Sequence, residues 1–138
     1  MQLIEALVLR SAEPNAARWF EDHIATKGVS ATRFRAAFAG AGRRLGESAP
    51  QLLGSDAAQL ERAGVAAPAQ WTLPMFARAA FLLRTLHALP PGEHVEFVRE
   101  VYRRGDFLEQ AALLQTLMLM PDPARFVDLQ YLRAAGLQ

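Results

Sequence analysis

Three histidines, His23, His87 and His94, are the candidates for metal or acid–base chemistry in this 138-residue sequence. A metal site built on helices needs ligands that share one helix face, as in a His-x-x-x-His or Glu-x-x-His pair. The sequence contains neither pair. We therefore expect no metal site and no bound cofactor. His94 falls in the first turn of a predicted helix, where we expect an exposed side chain.

His87 lies on an apolar stripe with Phe76 and Leu83, at the spacing of one helix face. A histidine in such a stripe is more often a hydrogen-bonded core residue than a ligand. The alternative is a pocket between helices, formed by His87 with Arg78 and Arg84. An enzyme or a carrier would bind its ligand there.

Two carboxylates, Asp106 and Glu109, follow Gly105 with three-residue spacing. Paired carboxylates can perform acid–base catalysis, but this spacing at a helix start is typical of a capping box. The sequence has no cysteine, no nucleophile elbow, no phosphate-binding loop and no dinucleotide fingerprint. It therefore offers no catalytic residue. These observations favour a protein that is not an enzyme and leave an enzyme as the alternative.

Arg43 and Arg44 lie in the glycine-rich stretch 40–46. Glycines let backbone N–H groups approach an anion, and arginines bind carboxylate or phosphate through two parallel hydrogen bonds. The preceding helix carries Arg33 and Arg35, so any ligand-binding or partner-binding surface is expected to include Arg43 and Arg44, with Arg33 or Arg35 nearby. The interpretation that the sequence favours is a helix end with a glycine cap, where arginines complement the helix dipole.

Composition excludes several classes of protein. With 51% hydrophobic residues and a net charge of +1, residues 1–138 are predicted to form a single folded domain. The near-neutral charge gives no support to nucleic-acid binding. No apolar run reaches the roughly 18 residues of a membrane span. Glu5 stands where a signal peptide needs a basic region, so we expect a cytoplasmic protein.

Apolar residues recur with helical spacing along the chain, whereas the alternation of a strand does not occur. This predicts an all-α fold of about eight helices. We expect the stretch 40–46 to break the third helix, and Asp56 with Gln59 to form a capping box for the fourth. Residues from Pro121 onward are predicted to begin a last helix. The predicted core includes Phe76, Leu83, Leu86, Leu113, Leu114, Leu117 and Phe126.

One apolar segment occurs twice, at residues 79–90 and 111–121, and a more polar helical stretch follows each copy. A period of about thirty residues is typical of stacked helical repeats. We therefore predict antiparallel helical hairpins stacked as in an α-solenoid, with helices 73–89 and 107–120 as equivalent, adjacent members.

Three segments resemble the EboA family of helical bacterial proteins. They run from Phe34 to Leu45, from Trp71 to Arg78 and from Gly105 to Val127, and the resemblance covers most of residues 30–135. It implies an accessory role in a cluster that makes or exports a small-molecule metabolite. Members of the family continue into a region rich in Arg, Asn and Pro, so this chain is expected to correspond to their N-terminal part.

These observations predict a non-catalytic helical scaffold or accessory protein. Its partner would be another protein of the same pathway or a small anionic metabolite. One alternative is a small enzyme or ligand carrier with an inter-helix pocket near His87. Another is a peptide-binding adaptor of the tetratricopeptide kind, whose repeat has a similar period. A polar-lined pocket, a concave groove or the absence of both would distinguish the three hypotheses.

Overall fold

The computed structural model describes residues 2–25, 31–46, 48–120 and 123–126, and these ranges are helical, joined by turns and short loops. The helices are α1 (Gln2–Ser11), α2 (Pro14–Ile24), α3 (Ala31–Leu45), α4 (Asp56–Ala63), α5 (Leu73–Ala88), α6 (His94–Arg104) and α7 (Phe107–Leu117). Short 3-10 turns occupy Pro68–Gln70, Pro91–Glu93 and Pro123–Phe126. The seven α-helices described confirm the all-α prediction and are close to the expected number.

Helix α5 lies at the centre of the fold and packs against α1, α2, α3 and α7. It begins at Thr72, whose hydroxyl accepts a hydrogen bond from the Met75 N–H at 3.3 Å. It ends just before Pro90, because prolines lack the N–H that a helix interior requires. Ala77 and Ala80 are fully buried, and such small side chains let neighbouring helices approach closely.

Helix α7 packs directly against α5, as the repeated segment predicted. It begins at Asp106, whose carboxylate accepts a hydrogen bond from the Glu109 N–H at 2.8 Å. Leu113 and Leu117 are fully buried. The predicted side-by-side packing of the two helices is therefore confirmed, whereas their equivalence within successive hairpins stays a prediction.

The predicted break in the third helix is wrong, because α3 continues through the glycines to Leu45. A Cβ atom on Gly40 would lie 3.3 Å from Cζ2 of Trp19, and one on Gly42 would lie 3.4 Å from Nη2 of Arg78. The glycines therefore let two large side chains approach the α3 backbone. Their role is close packing, and they do not end the helix.

Around α4, the predicted capping box is also wrong. The Gln59 side chain donates to the Ser55 hydroxyl at 2.6 Å, one residue before the predicted cap. The Asp56 carboxylate instead accepts from the Leu53 N–H at 2.9 Å and from Arg10 at 2.6 Å, which ties α1 to the start of α4. Gly64 follows α4 with φ +112°, a conformation that favours glycine.

Most of the predicted core is confirmed. Phe76, Leu86, Leu113, Leu117 and Phe126 are buried, and Leu83 and Leu114 are half-buried against them. Most of the predicted last helix lies outside the described residues. Among the helices that are described, none is long and apolar enough to span a membrane.

Replacing Leu117 with alanine should lower the free energy of unfolding by about 2–5 kcal/mol, because a fully buried leucine leaves a cavity when truncated. Urea unfolding measures this loss. Leu108→Ala on the same helix is the control, since Leu108 is 66% exposed and its truncation should change stability by about 0.5 kcal/mol or less. A loss below about 0.5 kcal/mol for Leu117→Ala would contradict the packing of α7.

Candidate functional site

An apolar cleft with a volume of about 620 Å³ lies where α1, α4, the C-terminal end of α5 and the segment after α7 meet. Its apolar lining consists of Ile4, Leu83, Leu86, Leu89, Leu119 and Met120. Ile4 and Leu86 are buried, whereas Ala63 and Pro91 are exposed, so the cleft opens to the surface. Small-molecule sites commonly have volumes of about 300–1,000 Å³ and a mostly apolar lining.

His94 lines this cleft and is 7% exposed, so the expectation of an exposed side chain is wrong. Its Nε2 lies 3.0 Å from the Leu89 carbonyl oxygen, and its Nδ1 lies 2.9 Å from Nη2 of Arg125. A guanidinium group only donates hydrogen bonds, so Nδ1 must accept and Nε2 must carry the proton. His94 is therefore a neutral imidazole held between Leu89 and Arg125.

The position of His94 follows from the chain reversal between α5 and α6. Pro90 and Pro91 prevent α5 from continuing, and the 3-10 turn Pro91–Glu93 leads directly into α6. This reversal returns the first residue of α6 to the Leu89 carbonyl group. Helical periodicity does not reveal such a contact, because it depends on the geometry of the turn.

Arg125 is a cleft residue that the sequence patterns did not predict. Its guanidinium carbon lies 4.7 Å from the ring centroid of the buried Phe126, a cation–π geometry. Its Nε is buried without a hydrogen-bond partner. No ion pair joins it to an acid in the described ranges. The cleft therefore contains a positive charge that His94 and Phe126 hold in place.

The three residues expected to form a pocket do not come together. His87 is exposed and lines the cleft. Arg78 is buried on another side of α5, where its Nε donates to the Phe38 carbonyl of α3 at 2.8 Å. Arg84 makes two hydrogen bonds with the Glu5 carboxylate, at 2.7 and 2.9 Å, and these bonds raise the pKa of Arg84.

Arg35 is half-buried and belongs to a polar cluster between α3 and α7. Its Nη2 lies 3.1 Å from Oε1 of Glu109 and donates a hydrogen bond to the Arg104 carbonyl. Desolvation by burial raises the pKa of Glu109, against the positive charge of Arg35, which lowers it. Desolvation likewise lowers the pKa of Arg78, despite attraction from Glu109. Arg35 thus connects α3 to both α6 and α7.

The other predicted arginines are exposed and lie at opposite ends of α3. Arg33 lies in the first turn, whereas Arg43 and Arg44 lie in the last. Ten residues of helix separate Arg33 from Arg43 by about 15 Å, at about 1.5 Å per residue. The Arg44 guanidinium lies 5.6 Å from the Trp19 ring centroid. The four arginines therefore do not converge on one point.

Within the described residues, no group of three or more histidines or acids is placed to hold a metal ion. The family model described as "Metabolite traffic protein EboA" matches residues 1–136 of the chain. No curated protein and no solved structure matches it.

The raised pKa of Glu109 predicts a specific pH dependence of stability. The folded state binds this proton more tightly than the unfolded state, so the associated stabilisation is lost as pH rises above the ordinary value of 4.5. Relative to Glu109→Gln, the unchanged protein should therefore become less stable as pH rises above about 4.5. Urea unfolding at several pH values measures this difference.

Glu96→Gln is the control, since Glu96 is exposed on α6. Its stability difference from the unchanged protein should vary less with pH. A Glu109→Gln difference that stays constant, or that increasingly favours the unchanged protein as pH rises, would contradict the burial argument.

Proposed function

The chain belongs to the EboA family of metabolite traffic proteins, and from this premise we propose that it holds a small metabolite in the cleft without transforming it. The observation that carries this proposal is the cleft itself, whose volume and apolar lining suit a small organic molecule. The cleft supports the carrier alternative derived from the sequence. In the structure, the site is centred on His94 and Arg125.

The polar groups of the cleft suit binding better than catalysis. Both ring nitrogens of His94 are occupied, by Leu89 and by Arg125, so neither is open to exchange a proton with a ligand. A general acid or base must contact the reacting group directly or through one water molecule. The other imidazole in the described part of the lining is that of His87, which is exposed.

A fluorescent probe whose polarity matches that of the cleft lining tests the proposal. Phenylnaphthylamine is a neutral, apolar molecule whose fluorescence increases in apolar surroundings, and it should bind the unchanged protein. Ala63→Trp should weaken this binding by roughly tenfold or more, because the indole ring would occupy space at the exposed lining of the cleft. Fluorescence titration measures the dissociation constant.

Ala58→Trp is the matched control, because Ala58 is an exposed alanine of the same helix that does not line the cleft. It should leave the affinity unchanged, and melting curves should show both variants folded. The proposal fails if phenylnaphthylamine does not bind, or if the two tryptophan variants bind it equally well.

Binding of a partner protein is a second candidate function, favoured by the exposure of Arg43 and Arg44 at the end of α3. This surface lies outside the cleft lining. The double change Arg43→Ala, Arg44→Ala should leave phenylnaphthylamine binding and thermal stability unchanged. Loss of pathway function in that variant would favour a docking surface, whereas unchanged pathway function would contradict it.

A further inference from the structure

We propose that Arg125 recognises an oxyanion of the ligand, so that the metabolite carries a carboxylate or phosphate at one end and an apolar body at the other. This inference rests on the proposed function, since it assigns a chemical class to the molecule held in the cleft. It goes beyond that function by naming the residue that selects the ligand.

Arg125 differs from the other half-buried arginines of the described residues in its hydrogen-bond partner. Arg10 and Arg35 each form an ion pair with an acid of the fold, as does the exposed Arg84. Arg125 instead donates to His94, which has no charge in this tautomer. His94 orients the guanidinium without neutralising it, so the positive charge remains available to an anion in the cleft.

The unused donors of Arg125 support the same inference. A guanidinium group has five N–H donors, and a carboxylate or phosphate accepts two of them in parallel. The Nη2 atom donates to His94, whereas Nε is buried without an acceptor. Leaving a buried N–H without a partner is unfavourable. A ligand oxygen beside the guanidinium would neutralise its charge, and a small shift of the side chain would let Nε donate to that oxygen as well.

The apolar lining of the rest of the cleft determines the polarity of the rest of the ligand. Ile4 and Leu86 are buried, and the other lining side chains near them are also mainly apolar. A second charge on the part of the ligand that contacts these apolar side chains would lose its hydration without gaining a partner. The geometry thus fits a molecule with one anionic end, and the ring of Phe126 holds the guanidinium in place to receive it.

Competition experiments on the full chain test this assignment. Phenylnaphthylamine is bound first, and then displaced by decanoate or by decanol, which share a chain length and differ in charge. For the unchanged protein, decanoate should displace the probe at a concentration roughly tenfold or more below that of decanol, because a hydrogen bond to a charged group contributes strongly to binding. Decyl phosphate, as a third competitor, distinguishes a phosphate preference from a carboxylate preference.

Arg125→Gln should make decanoate and decanol nearly equal while the probe still binds. Arg125→Lys should retain part of the preference, since it keeps the charge and loses the paired donors. Arg103→Gln is the control, because Arg103 is exposed on α6 and pairs with Glu100, and it should keep the full preference.

The possible failures are distinguishable. If the probe does not bind the unchanged protein, the proposed function itself fails. If the probe binds but decanoate has no advantage over decanol, or keeps its advantage in Arg125→Gln, only the assignment of the oxyanion to Arg125 is overturned. Melting curves show whether each variant is folded, and Arg125→Lys provides the test if Arg125→Gln is unfolded.

Discussion

Helix α5 packs against α1, α2, α3 and α7, so the side chains that it buries must be apolar, small or paired within the protein. Arg78 shows how strict this requirement is. Desolvation lowers its pKa, and its Nε donates to the Phe38 carbonyl oxygen. Its Nη2 would lie 3.4 Å from a Cβ at position 42, so the guanidinium packs close to the α3 backbone.

The cleft forms at the C-terminal end of the same helix. Leu83 and Leu86 line it from α5, and the proline turn then returns the chain so that His94 lies against the Leu89 carbonyl. His94 in turn holds Arg125, which comes from a 3-10 turn following α7. One rigid helix therefore supports the apolar lining, while short turns at its end supply the polar groups. This arrangement suits a site that binds a molecule with one polar end.

The sequence predicted those features that depend on local spacing. Apolar periodicity located the helices, and the side-chain oxygens of Thr72 and Asp106 accept the predicted capping hydrogen bonds. Apart from the packing of α7 against α5, features that depend on long-range contacts were not predicted. The spacing of Gly40 and Gly42 indicates a helix end, because nothing nearby in the sequence shows that Trp19 and Arg78 pack there.

The candidate site was less predictable than the fold, for the same reason. His87 lines the cleft and is not the core histidine that its apolar stripe favours, and its expected companions Arg78 and Arg84 bond to other helices. The polar groups that do line the cleft, His94 and Arg125, are 31 positions apart in the sequence. Each lies in a short turn or at a helix start, where hydrophobic periodicity carries no information about neighbours. Their pairing becomes visible only in three dimensions.

The most direct measurement is the location of a bound amphiphile by nuclear magnetic resonance. With decanoate bound to the labelled protein, we expect nuclear Overhauser contacts from its alkyl chain to Ile4 and Leu86, and a change in the Arg125 Nε–H resonance. The exposed side chains of Phe107 and Leu108 offer an alternative apolar surface on α7. Contacts to those two residues, with the resonances of Leu86 and Arg125 unchanged, would contradict binding in the cleft.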